Sequence, residues 1–130
     1  MEKFKIKRQV AFYETDAMGV VHHSNYLRYF EDARLAWLSA SGFLKDFQSQ
    51  DSLQFAVTNA DLQYKKPARY GDEIEISMGL HKTGAKLHFK YEIHSMQGEL
   101  LCTGTSSHVT VDRNMNVKRI PKEIAQLLGE

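Results

Sequence analysis

Cysteine is nearly absent from the 130-residue chain. Its one thiol, Cys102, excludes an intrachain disulfide framework and any zinc site built on four cysteines or on two cysteines and two histidines. Proline is almost as scarce, at two residues. With no low-complexity stretch and no internal repeat, nothing in the pattern marks a linker. No run approaches the roughly eighteen apolar residues of a membrane-spanning helix, so no integral membrane segment is expected. The start, MEKFKIKRQVAFYETD, alternates charged with apolar residues and lacks the apolar core of a secretory signal. Nor does one sign of charge dominate: 17 Lys and Arg stand against 16 Asp and Glu, a formal net charge of +1. Proteins that act on duplex DNA carry a marked basic excess, so no nucleic-acid partner is expected. What remains is a reduced, cytoplasmic, single domain over residues 1–130. A domain of this size buries about two-thirds of its unfolded surface and needs no covalent or metal staple.

Within those bounds the apolar pattern is informative. Phe4, Ile6, Val10 and Phe12 share the even phase, with Lys3, Lys5, Lys7 and Gln9 between them, which predicts a first strand. Arg8 breaks that apolar face. After the turn-like Thr15-Asp16-Ala17-Met18-Gly19 the period changes. Tyr26, Phe30, Ala33, Trp37 and Ala40, spaced 4, 3, 4 and 3, form the buried stripe of a long helix. Ser24 is its expected N-cap and Ser41-Gly42 its stop. From Leu53 to Tyr64 the apolar phase slips by one residue near Thr58-Asn59, which predicts a bulge. Three further strands follow, marked by Ile74 to Leu80, Leu87 to Ile93 and Leu100 to Val111. Turns at 82–85 and 97–98 separate them, and 112–116 turns the chain again. Pro121 opens a short terminal helix with Ile124, Leu127 and Leu128 inward. Short connections imply antiparallel neighbours. The expected fold is therefore α+β, a five-stranded antiparallel sheet wrapped around one long central helix. Its uncovered edge or outer face suits another subunit.

The densest cluster of polar and special residues runs from Tyr13 to Tyr26, between the first strand and the helix. Asp16 precedes a glycine turn, seven residues ahead of His23. The first backbone N–H groups of the helix have no intrahelical partner, and with the helix dipole they can hold an anion or a polarised carbonyl. A carboxylate beside such donors is the minimum equipment for hydrolysing an activated acyl group. The same residue types also serve as plain turn and cap residues, and spacing alone does not separate the two roles.

The run T-D-A-M-G-V-V-H-H-S-N-Y-L-R-Y-F-E-D-A-R, Thr15 to Arg34, resembles the signature of the YbgC-type and 4-hydroxybenzoyl-CoA thioesterase family. The matching positions are Thr15-Asp16, Gly19-Val20-Val21, His23, Tyr26 and Arg34; the segment from Tyr64 to Asp72 also looks familial. The resemblance implies the hotdog fold and hydrolysis of an acyl-CoA to CoA and a carboxylic acid. It implies Asp16 as nucleophile or general base and the backbone N–H of His23 as donor to the thioester carbonyl. The His23 side chain matches YbgC-like members, where the hydroxybenzoyl branch has Tyr. Gly19 and Tyr26 would belong to the substrate site. The working unit would be a homodimer or homotetramer with sites between subunits. No cofactor is implied beyond the coenzyme A of the substrate, and acyl carrier protein is an alternative carrier.

Coenzyme A phosphates need cations, and three clusters qualify: Lys65, Lys66 and Arg69; Lys82 and Lys86; Lys118, Arg119 and Lys122. The resemblance favours Lys82 and Lys86. His22 and His23 with Asp16 make a poor metal set, because adjacent side chains diverge and no third histidine is near in sequence; no metal is expected. His88 and His94 share the polar phase of their strand and read as solvated, while His81 and His108 have no identifiable partner. Cys102 reads as inert, and Arg34 as structural, paired with a carboxylate. The stripe of Tyr26, Phe30 and Trp37 reads as core, though part of it could line an acyl tunnel. The alternative functions are a hydratase or dehydratase of the same fold and a non-catalytic acyl-CoA binding module.

Overall fold

The structure, a computed structural model, describes residues 3–42 and 54–128. Strand β1 (Phe4–Gln9) leads through a single 3-10 turn at Phe12–Glu14 into helix α1 (Ser24–Ser41). Strands β2 (Gln54–Tyr64), β3 (Glu73–Thr83), β4 (Lys86–Ser95) and β5 (Leu100–Val111) follow, then a two-residue β6 (Val117–Lys118) and helix α2 (Lys122–Leu127). The sheet order is β1-β3-β4-β5-β2, every pairing is antiparallel, and β6 adds to the end of β5. The α+β architecture is thus as expected, with β6 the unanticipated addition. Short hairpins join β3 to β4 and β4 to β5, so those neighbours in sequence are neighbours in the sheet.

One face of the sheet carries Ile74, Ile76, Met78 and Leu80 of β3 with Leu87, Phe89, Tyr91 and Ile93 of β4, all buried. Tyr26, Tyr29, Phe30, Ala33 and Trp37 of α1 join the same core. This is the period-2 pattern of the strands meeting the 3.6-residue pattern of the helix. The buried stripe differs from expectation at its ends. Ala40 is exposed, while Asn25, Tyr29 and Leu38 are buried. The helix stops at Ser41, with Gly42 in the left-handed region at φ 85°. In β2 the pairing with β5 shifts between Val57 and Asn59, which is the bulge that the phase slip predicts; Leu53 lies outside the described residues.

Two strand and helix assignments need correction. β1 ends at Gln9, and Phe12, expected to face inward, is 74% exposed in the 3-10 turn, edge-on to Tyr70. A tight turn cannot continue the two-residue alternation of a strand. In α2 Ile124 is buried and Leu128 packs on the core, but Leu127 is exposed. One position before Leu128 on a helix lies about 100° around the axis, which turns that side chain to solvent.

Candidate active site

The loop from β1 to α1 is shaped by its own backbone. Asp16 N–H donates to the Val20 carbonyl at 2.9 Å, and Gly19 N–H donates to the Asp16 carbonyl at 3.0 Å. The resulting turn needs a left-handed residue, and Gly19 supplies it at φ 78°. The Asp16 carboxylate folds back on this turn: Oδ1 accepts from the N–H groups of Met18 at 2.8 Å and Val20 at 3.4 Å. Val20 bridges to Arg69, and Val21 N–H donates to the Ala68 carbonyl at 2.8 Å. The β2–β3 connection therefore runs alongside the Asp16 loop.

Helix α1 begins on the other side of this loop. His23 occupies the capping position with helical angles, φ −55° and ψ −29°. Ser24 is thus inside the first turn and is not the N-cap. The His22 ring does that work, because its Nδ1 accepts the Ser24 N–H at 3.2 Å and pairs with the Ser24 hydroxyl at 2.9 Å. Asn25 and Tyr26 donate their N–H groups to the carbonyls of His22 and His23. The His22 and His23 rings lie against each other at 4.0 Å.

Asp16, His23 and Tyr26 line one pocket of about 360 Å³, together with Val21, Tyr64, Lys65, Lys66 and Pro67. Three of the expected site residues thus meet. Gly19 shapes the turn without lining the pocket. Lys82 and Lys86 lie elsewhere: Lys86 pairs with Val109, which pairs with Ala56, whereas the pocket holds Tyr64, at the other end of β2. At roughly 3.3 Å per residue the two ends are about 25 Å apart. Among the described residues, the cations that line the pocket with Asp16 are Lys65 and Lys66, and Lys66 is ion-paired with Glu99. A larger concavity of about 550 Å³ lies on the outer sheet face, around Ser77, Gly79, Lys90 and Thr105, and includes no residue of the Asp16 loop.

Two tyrosines line the pocket. Tyr26 is buried and meets Tyr64 edge-on at 5.2 Å. Burial pushes both phenols above their ordinary range, so each is a neutral hydrogen-bonding group. Behind them Cys102, opposite Tyr64 in the sheet, is buried and its thiol is pushed up to about 11 by that burial. It stays protonated at neutral pH and is no nucleophile.

Sequence reasoning missed the frame behind the loop. Glu14 is only 2% exposed, yet its carboxylate is fully partnered. Arg8 ion-pairs with Glu14 and with Asp32, the Tyr29 hydroxyl donates to Oε1 at 3.0 Å, and Ala11 N–H donates to Oε1 at 2.9 Å. The Arg8 guanidinium also lies over the Tyr29 ring. The visible signal was Arg8 itself, a cation in the inward phase of β1. Arg34 also needs correction: among the described residues it donates to the Tyr91 hydroxyl at 2.8 Å and to no carboxylate, because its side of α1 faces the apolar strand β4. His108 does have a partner, Ser106, at 2.8 Å. His88 is half-buried, stacks on His81 at 4.8 Å and pairs with the Ser107 hydroxyl at 2.8 Å. Among the described residues no three His, Cys, Asp or Glu side chains converge to hold a metal ion, and no helix is long and apolar enough to cross a membrane.

Residues 10–128 match the thioesterase-like superfamily. The chain belongs to that superfamily. It is a hotdog-fold thioester hydrolase by family, and relatives bear this out across nearly its whole length. It is 30% identical to the acyl-CoA thioester hydrolase YbgC of Escherichia coli O157:H7, over 93% of this chain and 92% of the relative. It is 33% identical to the 1,4-dihydroxy-2-naphthoyl-CoA hydrolase of Nostoc punctiforme, over 96% of this chain and 86% of the relative. Among solved structures, the 1,4-dihydroxy-2-naphthoyl-CoA thioesterase Slr0204 of Synechocystis superposes with a TM-score of 0.89 at 23% identity, covering 98% of this chain and 96% of that one. At that identity the likeness speaks for the fold.

Proposed function

We propose that this thioesterase-like chain hydrolyses an acyl-CoA thioester to coenzyme A and a free carboxylic acid at the Asp16 pocket. The observation that carries the reading is that the Asp16 carboxylate and the start of α1 at His23 line one pocket. The carboxylate either attacks the thioester carbon or takes a proton from the water that does so. In the first case the C–S bond breaks, CoA leaves as its thiolate and takes up a proton, and water cleaves the acyl-aspartyl anhydride. In both cases the carbonyl oxygen becomes an oxyanion, and the His23 N–H at the positive end of α1 donates to it. The Met18 and Val20 N–H groups orient the carboxylate through Oδ1 and leave Oδ2 to react.

Tyr26 and Tyr64 line the acyl side of the pocket, and Lys65 offers charge at the mouth for the phosphates of CoA, beside Lys66, which is ion-paired with Glu99. Strand β2 is an edge of the sheet. In a homodimer or homotetramer built across that edge, the Lys82–Lys86 hairpin of a second copy would approach the pocket and could share the phosphate load. The chemistry uses no cofactor beyond the substrate's own CoA, and a cytoplasmic location and a single domain over 1–130 accord with it. Acyl carrier protein is the alternative donor.

The test is thiol release from a panel of acyl-CoAs by wild type and Asp16→Asn. The variant should stay folded and keep its oligomeric state, yet lose at least about a hundredfold in turnover, the loss of a group that acts in the transition state. Near-wild-type turnover would remove Asp16 from the mechanism. Loss of an enoyl double bond without thiol release would indicate a hydratase, and saturable binding with neither reaction would indicate a binding module.

A further inference from the structure

Away from the pocket, successive turns of α1 meet successive positions of β5: Phe30 lies on Gly104, and Arg34 reaches Ser106 through the Tyr91 hydroxyl. Four residues of helix rise about 6 Å, and two residues of strand rise about 6.7 Å. Tyr26, Phe30 and Arg34 therefore keep pace with Cys102, Gly104 and Ser106. The first level, Tyr26 with Cys102, underlies the Asp16 pocket. An unbranched acyl chain that passed Tyr26 would travel down this line, between helix and sheet.

The second level is closed. A Cβ on Gly104 would lie 2.5 Å from Cε2 of Phe30 and 2.8 Å from its Cζ, so the ring sits directly on the strand backbone. Tyr91 stacks on the same ring at 4.1 Å, with planes 7° apart, and both rings are 1% exposed. Strand and stacked phenol together leave the ring no room to swing aside. The third level is polar: Arg34 donates to the Tyr91 hydroxyl, which pairs with Ser106 at 2.6 Å, and Ser106 pairs with His108 at 2.8 Å. Methylenes pushed into that chain would strand a guanidinium without its partner, at high cost.

We propose that Phe30, seated between Gly104 and Tyr91, is the stop that ends the acyl path at the level of Tyr26 and makes the enzyme selective for compact acyl groups. The proposal rests on the reading of the Asp16 pocket as the thioester site. It turns part of the aromatic stripe from core filling into a specificity determinant: Phe30 limits length without touching the reacting atoms.

The experiment uses two stable thioethers, S-butyl-CoA and S-decyl-CoA, with binding measured by calorimetry on wild type, Phe30→Val and Phe30→Ala. Wild type should bind the decyl compound no more tightly than the butyl one. Each variant should gain about tenfold or more for the decyl compound, the effect of fewer than two newly buried methylenes, while butyl affinity stays within about threefold. Melting curves establish that the variants fold, and the valine variant preserves more of the core than alanine does. Tighter decyl binding by wild type would overturn the proposal whatever the variants do. So would folded variants that keep the wild-type ratio. Thiol release from butyryl-CoA by wild type is measured alongside: its absence would count against hydrolysis alone, since the thioether ratio is read without turnover.

Discussion

The side-chain amide of Asn25 donates to the backbone carbonyl of Glu14 at 2.9 Å, and both residues are buried. His22 N–H donates to the same carbonyl at 2.9 Å. Two donors from the start of α1 thus hold the chain two residues before Asp16, which joins the carboxylate loop to the helix end that faces it. Asn25→Ala removes one clamp and should lower stability by about 1–3 kcal/mol, the cost of an under-satisfied buried group. It should also lower kcat by about tenfold or more with little change in KM, because small displacements of a reacting group are felt mainly in the transition state. Asn25→Asp, which has no N–H₂ to donate, should not restore the rate. If the alanine variant melted earlier but turned over at the wild-type rate, the clamp would be structural only.

Gly19 invites a different test. Its φ is 78°, and a Cβ there would meet nothing within 4 Å, so Gly19→Ala isolates backbone strain from crowding. The expected cost is about 1–2 kcal/mol. Relief of that strain would open the Asp16–Gly19 turn and weaken the Met18 and Val20 contacts to Oδ1, so turnover should fall as well. Asn tolerates left-handed angles better than Ala, and Gly19→Asn should recover part of both losses, measured by denaturation and thiol release. An asparagine variant no better than alanine would argue against the strain account.

The long helix, the four long strands after it and the β2 bulge were all legible, because each rests on a local period that one face of the core enforces. Asp16, His23 and Tyr26 were legible as a group because they lie close in sequence on one loop and one helix turn. Tyr64 was not, since nothing local says that the end of β2 returns to α1. The Glu14 frame was half visible: Arg8 stood out as a cation in an apolar phase, but its partners, Glu14 and Asp32, come from the 3-10 turn and from α1. Lys65 and Lys66 read like the other basic clusters, because only the β2–β3 connection, which runs beside the Asp16 loop, sets them at the pocket. Ser24 misled because the His22 ring, a less usual cap, satisfies the donor that a serine cap would have taken.

The close fit of Phe30 on Gly104 predicts strong coupling between the two sites. Gly104→Ala forces the ring off the strand while Tyr91 blocks its other face. Overpacking of this kind costs about 1–3 kcal/mol. In a Phe30→Ala background the same substitution should cost much less, since the new methyl would then meet the Asp61 carbonyl oxygen, at 3.2 Å. A double-mutant cycle by chemical denaturation should therefore return a coupling of about 1 kcal/mol or more. Additive effects would mean that the ring moves freely, which would also weaken the case for Phe30 as a stop.

His108 sets an acid limit on the fold. It is 1% exposed, between Phe55 and Phe89, with Nε2 paired to Ser106. Burial first, then the nearby charge of Arg34, holds the ring down to about 4, against 6.5 for a free histidine. The folded state therefore binds fewer protons than the unfolded chain between these two values. Stability rises with pH wherever the unfolded state holds more protons, so His108 contributes fully above about pH 6.5 and its contribution is lost as the pH falls toward 4. A shift of this size corresponds to about 3 kcal/mol at most. Wild type should lose melting temperature steeply from pH 7 to pH 4.5. His108→Gln, which stays neutral throughout and can still pair with Ser106, should start lower at pH 7 and lose clearly less over the same range. Parallel melting curves for the two proteins would assign the acid sensitivity to other groups.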